Sequence, residues 1–384
     1  MKRFLILILV LFAGCATRAL PPMQSPFDHA IWAIHVEDDE GRVLYSQNAH
    51  TLMMPASNRK LFASATIASC LGIDHQLETT VWLDGEDLVL KGDGDPSLGS
   101  WRYERTHDFD RVADVLASRG ITKIKDVVAD VSLFSDRITI PGTWKVGNLQ
   151  SSYAAPVDAL AWSENEVPPS RAVPDAALNA ANALRAALEM RGITATGVRV
   201  NTEPKAWREQ IATLPSPFIG ELLRTVLKNS HNLYAEMLFK RASGGTYAGS
   251  FAIEKQLTTL EAHIDPNETR FVDGCGLSPD DLVAPAATVA ILRWMNQPSR
   301  RAFWWSTLAQ PNNEGTLRRR LVTFESRLRG KTGTINGVAA LSGILAMPNG
   351  RFRYFSIVVN HNAGDGDEAV KIIDAIVERI AQWR

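Results

Sequence analysis

The chain lacks the sequence features of several large classes of protein. Its 41 basic and 42 acidic residues leave a net charge of -1, so no excess of positive charge is available for nucleic acid or an anionic membrane surface. Its eight histidines and three cysteines show no metal-ligand spacing such as His-x-x-x-His or Cys-x-x-Cys. The Gly-x-Ser-x-Gly motif of Ser-His-Asp hydrolases is also missing. We therefore predict no metal, no cofactor and no nucleic-acid partner.

The rest of the composition is that of an ordinary globular protein. Of the 384 residues, 45% are hydrophobic and 22% are charged, and there is no internal repeat or long low-complexity segment. This length predicts one large domain or two to three ordinary ones.

The N-terminus has the pattern of an export signal. Two basic residues, Lys2 and Arg3, precede an apolar run from Phe4 to Phe12 that is too short to span a bilayer, and Ala-Gly-Cys15 follows. The cysteine after small residues resembles a bacterial lipobox, which predicts a signal peptide over residues 1–14 and lipidation of Cys15. Residues 15–27, rich in proline, would form a lipid-tethered linker. Ala16 resembles a sorting signal for the outer membrane, so we expect a periplasmic protein anchored there by lipid alone if the host is Gram-negative.

The other two cysteines, Cys70 and Cys275, are far apart in different predicted elements. We predict that both are unpaired and mostly buried thiols.

Hydrophobic periodicity predicts strands at both ends of the chain with helices between them, an α/β (α+β) arrangement. The first and last strands can join one antiparallel sheet. Residues 76–213 carry their own strands and helices and look like an insertion. The predicted elements are strands 30–36, 42–47, 77–83, 87–91, 123–133, 198–201, 326–333, 337–347 and 353–360, and helices 57–72, 108–119, 175–191, 215–229, 232–241, 251–263, 285–296 and 368–383.

Ser57 and Lys60 are the first candidate catalytic pair. They lie three residues apart at the predicted start of a helix, which places them on one face, so a neutral Lys60 could take the proton of the Ser57 hydroxyl. A helix N-terminus also favours negative charge developing on the serine. Alone, however, the pair is more typical of a helix-capping serine followed by a solvated lysine.

Two later stretches change that interpretation. Ser230-His-Asn232 lies at a helix–helix junction, and Lys331-Thr332-Gly333-Thr334 lies on a predicted strand. Each has an ordinary explanation, a helix cap or a strand entering a turn. In this order, Ser-x-x-Lys, Ser-x-Asn and Lys-Thr-Gly resemble the site of penicillin-binding proteins and serine β-lactamases.

Further segments resemble one branch of that group, the D-alanyl-D-alanine carboxypeptidase/endopeptidase family, or class C low-molecular-mass penicillin-binding proteins. The resemblance runs from about residue 28 to the C-terminus and includes residues 92–98, 155–160, 230–236 and 273–278. It implies a β-lactamase/transpeptidase-like domain over residues 28–75 and 214–384, with a central antiparallel sheet flanked by helices. One inserted α/β domain would occupy residues 76–213.

The resemblance also implies roles for the site residues. Ser57 would attack the carbonyl of the penultimate D-Ala, with Lys60 as general base and Ser230 passing the proton to the leaving amine. Asn232 would orient Lys60 and the substrate, while Lys331 and Thr332 would bind the substrate carboxylate. Gly333 would let the substrate lie along the strand, and the backbone N–H groups of Ser57 and Thr334 would form the oxyanion hole. We expect His231 to point away from the site.

The chain departs from the family pattern in three ways. We expect the second inserted domain that relatives usually carry to be missing, and Cys275 replaces the commoner serine. Some relatives hold the diaminopimelate side chain of the substrate with an Asp and an Arg, where this chain has Asn148 and Pro279. Recognition of that side chain is therefore left open. The partners that the resemblance implies are peptidoglycan peptides and β-lactam antibiotics.

Two other functions remain open at this point. A serine β-lactamase shares the three motifs, and one class deacylates with a Glu-activated water, which Ser163-Glu-Asn-Glu166 superficially resembles. β-Lactamases lack the insertion, however. The other alternative is a non-catalytic, lipid-tethered wall-binding protein.

Overall fold

The computed structural model describes residue 20, residues 29–363 and residues 366–383. Cys15 and the predicted signal peptide lie outside the described residues, as does the predicted linker apart from Leu20. The helices are α1 Arg59–Leu71, α2 Asp108–Ser118, α3 Ala176–Glu189, α4 Ile219–Lys228, α5 Asn232–Ala242, α6 Tyr247–Leu260, α7 Pro285–Met295, α8 Arg301–Thr307 and α9 Gly366–Gln382. The strands are β1 Ile31–Asp38, β2 Val43–Gln47, β3 Gln76–Asp84, β4 Asp87–Lys91, β5 Lys123–Asp130, β6 Glu166–Val167, β7 Arg171–Ala172, β8 Thr194–Asn201, β9 Glu209–Phe218, β10 Thr269–Arg270, β11 Leu282–Val283, β12 Leu328–Ile335, β13 Val338–Ala346 and β14 Phe352–Asn360.

The first and last strands form one antiparallel sheet, as predicted. Its order is β12-β13-β14-β1-β2, and β1 pairs along its full length with β14, from Ile31 opposite Asn360 to Asp38 opposite Arg353. The sheet is covered on both faces. Apolar residues of α9 pack on one face, while α7 and the turn that leads into α1 lie over the other. The inner strands are therefore buried on both sides.

Residues 76–218 form a second five-stranded sheet, ordered β8-β5-β4-β3-β9. β4, β5 and β8 run parallel, which requires crossover connections, and α2 and α3 supply them. One continuous apolar core joins this part to the helices α1 and α4–α7. The strand pairing carries the second sheet five residues beyond the predicted boundary at residue 213, and the domain bounds themselves stay a prediction.

The helix predicted from Pro215 to Asn229 is wrong at its start. Pro215–Phe218 belong to β9, which pairs with β3, and α4 begins only at Ile219. Because β9 is the outer strand of its sheet, Pro215 and Pro217 lose no hydrogen bond that a central strand would need. All of β9 was missed, as was the short helix α8.

The cysteine prediction is half right. Cys275 is buried and Cys70 is exposed, and neither is in a disulfide. Cys70 lies in the last turn of α1, where the helix emerges from the core and Ser69 is also exposed. The apolar periodicity of the helix had suggested burial throughout.

Candidate active site

Ser57 lies in a single 3-10 turn, Ala56–Asn58, that leads directly into α1. The turn is fixed to the first sheet from both sides. Asn58 Nδ2 donates to Ser342 Oγ on β13 at 2.8 Å, and the Asn360 side chain on β14 bonds both backbone groups of Met54 at 2.8 and 3.1 Å. The predicted nucleophile therefore stands on a rigid support.

Two glycines pack directly against the Ser57 turn. A Cβ at Gly333 would lie 2.6 Å from Pro55 O and 3.2 Å from Ser57 N, so only glycine lets β12 pass this close. Gly276, at φ +83°, approaches Ala56 O from another direction, where a Cβ would overlap that oxygen. The serine thus sits between the strand β12 and the loop at residues 273–278.

Lys60 brings together the first two motifs. Its buried Nζ lies 3.0 Å from Ser57 Oγ, 2.7 Å from Asn232 Oδ1 and 2.7 Å from Cys275 O. The amide and carbonyl oxygens can only accept, so they take two N–H donors. A neutral amine then has its lone pair left for the Ser57 hydroxyl, which is the arrangement that a general base requires.

Asn232 is held in the orientation that this arrangement needs. Its Nδ2 donates to Tyr153 O at 2.7 Å, and since a backbone carbonyl only accepts, the amide oxygen must face Lys60. The first turn of α5 is therefore tied both to Lys60 and to the segment that contains Tyr153.

The surroundings of Lys60 favour its neutral form. Burial lowers the pKa of Lys60 below its ordinary value, against the opposing influence of Cys275, Asp273 and Glu236. No ion pair to Lys60 is formed by the described residues. The lysine is therefore a buried amine whose neutral form costs less than it would in water.

Lys331 joins the second and third motifs. Its buried Nζ donates to Ser230 Oγ at 2.8 Å and to Thr332 O at 2.7 Å. Burial, and then the charge of Lys60, hold the pKa of Lys331 well below its usual range. Ser230 has φ +61°, a region that costs a non-glycine residue roughly 1–3 kcal/mol. This strained conformation turns its hydroxyl between the lysine and the cavity.

A cavity of about 800 Å³ opens beside Ser57. β12 is the outer strand of its sheet, and among the described residues the backbone of its free edge pairs with another segment only at the bridge from Gly330 to Ala309. Thr332 Oγ1 donates to Thr316 Oγ1 at 2.8 Å near the same edge. The residues that line the cavity are Ser57, Lys145, Asn148, Tyr153, Ser230, Asn232, Gly276, Leu277, Pro279, Thr334, Ile335, Asn336, Gly337, Val338, Asn362, Ala363 and Gly366.

Glu164 and His231 form a buried contact behind the second motif. His231 Nε2 lies 2.9 Å from Glu164 Oε2, and the other carboxylate oxygen accepts from Ser100 and Arg102 at 2.7 and 2.8 Å. Burial alone would raise the pKa of Glu164, but the hydrogen bond and charge of His231, with Ser100 and Arg102, lower it to about 2. His231 therefore points away from Lys60, as predicted, and Glu164 does not line the cavity as a deacylating base would.

Behind Lys60 lies a cluster of Glu236, Asp273 and Cys275, which is the one group of possible metal ligands among the described residues. Its oxygens are already occupied by donors. Glu236 accepts from Gly274 N at 2.9 Å and Tyr247 Oη at 2.8 Å, and Asp273 accepts from three backbone N–H groups of its own loop. These hydrogen bonds hold the loop at residues 273–278 in place. The absence of a metal stays a prediction.

The structure brings all eight predicted site residues to one place, but it adds three contributors that the sequence did not indicate. Two are the backbone carbonyls of Tyr153 and Cys275, which carry no side-chain signal. The third is Trp144, whose indole donates to Asp273 Oδ2 at 2.9 Å. A tryptophan in an irregular, proline-flanked stretch was the only available hint.

A serine beside a buried lysine, a second serine–lysine pair and a free sheet edge are the features of one class of protein. These are the serine acyl-enzymes of the penicillin-binding and β-lactamase-like superfamily. The chain belongs to the D-Ala-D-Ala carboxypeptidase 3 (S13) family, whose family model matches residues 23–172 and 160–383. This confirms the assignment made from the motifs.

Similar proteins agree with this placement. A D-alanyl-D-alanine carboxypeptidase of Actinomadura sp. is 27% identical, over 91% of this chain and 80% of its own length. The crystal structure of penicillin-binding protein 4 (dacB) of Haemophilus influenzae superposes with a TM-score of 0.82 at 19% identity, covering 93% of this chain and 97% of that one. The structure of the penicillin G-acylated predatory endopeptidase Bd3459 of Bdellovibrio bacteriovorus superposes with a TM-score of 0.62 at 15% identity. The match covers 91% of this chain and 93% of that one. The predicted β-lactamase/transpeptidase-like fold is confirmed.

Within residues 29–363 and 366–383, none of the helices has both the length and the apolar content to cross a bilayer.

Proposed function

We propose that this chain is a serine-type D-Ala-D-Ala carboxypeptidase and/or D,D-endopeptidase that hydrolyses peptidoglycan stem peptides or cross-links through an acyl-Ser57 intermediate. The observation that carries the proposal is the Lys60 amine, buried and within 3.0 Å of Ser57 Oγ, with its other neighbours restricted to acceptors. Membership of the family supports the substrate class, and the fold is shared with a penicillin-acylated endopeptidase.

The reaction proceeds in two halves. Ser57 Oγ attacks the carbonyl carbon of the penultimate D-Ala while Lys60 takes its proton, and the oxyanion accepts from the backbone N–H groups of Ser57 and Thr334. The C–N bond then breaks, and the leaving amine receives a proton through Ser230. Water hydrolyses the Ser57 ester, which releases the shortened peptide and restores the hydroxyl.

The substrate lies along the free edge of β12. Its C-terminal carboxylate is bound by the amine of Lys331, which lies beside Ser230, and by the hydroxyl of Thr332. Its backbone adds to β12 at Gly333 as an extra strand, because no side chain at that position blocks the approach. The same contacts position a β-lactam, whose ring carbonyl takes the place of the scissile amide.

Release of D-Ala from N-acylated D-Ala-D-Ala peptides tests the function. We expect the wild-type chain to release one D-Ala per peptide and Ser57→Ala to lose that activity, because no other hydroxyl occupies the position beside Lys60. Circular dichroism and thermal unfolding should be unchanged in the variant. Hydrolysis that survives the Ser57→Ala change would contradict the proposal.

We propose further that the chain is exported and anchored by a lipid on Cys15, on the basis of the basic, apolar and small-residue pattern of residues 2–15. Wild-type protein should fractionate with membranes and incorporate a labelled fatty acid. Cys15→Ser should do neither, and labelling of that variant would disprove the anchor site.

A further inference from the structure

One wall of the active-site cavity comes from the irregular segment 144–153, and both ends of this segment are fixed. At one end the buried Trp144 indole donates to Asp273 Oδ2 at 2.9 Å. At the other, Tyr153 O accepts from Asn232 Nδ2 at 2.7 Å, and Tyr153 Oη donates to Asn148 Oδ1 at 3.2 Å. The side chains between these anchors are therefore held at the cavity rather than left on a mobile loop.

Lys145 is the charged residue of this wall. It follows Trp144 directly, lines the cavity and is exposed. Among the described residues that line the cavity, it carries the only full charge and no carboxylate accompanies it. No hydrogen bond or ion pair to its amine is formed within the described part of the chain. A free cation thus faces the substrate space.

The position of Lys145 decides which part of the substrate it meets. The Ser57 turn has β12 on one side, through Gly333, and the loop containing Asp273 and Gly276 on another. The proposed function places the C-terminal carboxylate at Lys331 and Thr332, and the rest of the substrate farther along β12. The cavity that Lys145 lines includes Thr334 and the residues after it but neither Lys331 nor Thr332, so Lys145 lies towards the residues that precede the scissile bond.

We propose that Lys145 is a specificity-determining residue, which favours acyl donors whose side chain before the D-Ala-D-Ala unit ends in a carboxylate and disfavours those that end in an ammonium. This inference rests on the proposed function. Opposite charges within about 4–6 Å attract even when partly solvated, and like charges repel.

Three peptides of matched length test the proposal, each N-acetyl-X-D-Ala-D-Ala. X is L-2-aminopimelate, with a terminal carboxylate, L-lysine, with a terminal ammonium, or L-norleucine, which is neutral. For the full wild-type chain we expect kcat/KM for the carboxylate peptide to exceed that for the ammonium peptide by about tenfold, a ratio that shrinks as salt is added because both charges contact solvent. The neutral peptide should fall between them.

Two variants separate charge from packing. Lys145→Met should reduce the ratio to about one, and Lys145→Glu should invert it, with each rate expressed relative to that of the same variant on the norleucine peptide. Lys125→Glu, the same charge change on an exposed lysine that does not line the cavity, should leave the ratio unchanged.

The outcomes distinguish the two levels of inference. If wild-type protein hydrolyses the norleucine peptide but shows the same ratio in all three Lys145 forms, the specificity proposal is wrong and the function stands. If no peptide is hydrolysed and no acyl-Ser57 forms, the proposed function fails and the specificity assignment fails with it.

Discussion

Two lysines at the site are fully buried, and neither has a carboxylate partner among the described residues. Lys60 and Lys331 make hydrogen bonds only to hydroxyl, amide and carbonyl oxygens. Burying a charged amine without a counter-ion is costly, so such a group either becomes neutral or serves a ligand that brings the opposite charge. An enzyme of this family would use the first as a neutral base, Lys60 beside Ser57, and the second as an amine that binds the substrate carboxylate, Lys331 beside Ser230.

Glu236, behind Lys60, is a buried acid, and its burial favours the protonated, neutral form. Burial and then the neighbouring Asp273 charge raise the pKa of Glu236 to about 7, from an ordinary value of 4.5. The folded protein therefore holds a proton between pH 4.5 and 7 that the unfolded chain releases. The stabilisation due to this group is complete below pH 4.5 and is lost as the pH rises through 7.

We predict that Glu236→Gln weakens this pH dependence. The amide keeps the acceptor for Gly274 N but does not titrate, so the wild-type free energy of unfolding should fall relative to that of the variant as pH rises from 4.5 to 7. Each unit of pKa difference is worth about 1.4 kcal/mol. Urea unfolding at several pH values measures the difference.

Glu86→Gln, at an exposed position, provides the control and should leave the pH profile unchanged. Parallel profiles for wild type and Glu236→Gln would show that Glu236 has an ordinary pKa in the folded protein.

At the scale of elements, the site depends on contacts between parts that are distant in sequence. The turn before α1 supplies Ser57, α1 itself supplies Lys60, α5 supplies Asn232, and β12 supplies Lys331. The segment 144–153 closes the arrangement through Trp144 and Tyr153. Motif spacing could predict the first four because their chemistry resides in side chains. It could not predict the last, because the contacts are a backbone carbonyl and an indole in an irregular stretch.

We predict that Trp144→Phe slows acylation of Ser57 as well as reducing stability. The phenyl ring keeps most of the packing, but Asp273 loses one donor, which typically costs about 1–3 kcal/mol for a buried acceptor. The loop of Asp273 also carries Cys275 O, an acceptor of Lys60, so its displacement should weaken the base. Stopped-flow acylation and thermal unfolding measure the two effects.

Trp207→Phe is a matched control, because Trp207 is also buried and donates its indole N–H to Asp130 Oδ2, at 2.6 Å in the second sheet. It should lose stability without slower acylation. Equal acylation rates in both variants would mean that Trp144 is only structural.

Sequence patterns predicted regular elements unevenly, for physical reasons. Strands of the first sheet were placed to within about two residues, since their apolar runs and turn glycines are clear. β9 was missed because Pro215 and Pro217 disfavour a strand in general, and only its position at a sheet edge permits them. Whether a strand is at an edge is a property of the whole sheet, which local sequence does not contain.

At the scale of the whole molecule, the helices between the two sheets form a continuous core with the second sheet, and the cavity beside Ser57 is lined by residues from both parts of the molecule. The fold class followed from the distribution of strands and the family resemblance, and the fold was confirmed. The limits of the inserted domain, 76–213, remain a prediction. β9 crosses the second of these limits and pairs with β3 in the second sheet. Burial of Lys60 and Lys331 depends on this assembly and is not visible in the motifs.

The central claim is that Ser57 is an acylated nucleophile, and the most direct test is an intact-mass time course of the chain with benzylpenicillin, followed by peptide mapping. We predict a long-lived adduct of one penicilloyl group on Ser57, absent from Ser57→Ala. An adduct that forms and disappears with turnover of the drug would favour a β-lactamase. No adduct, or one mapped to another residue, would contradict the account.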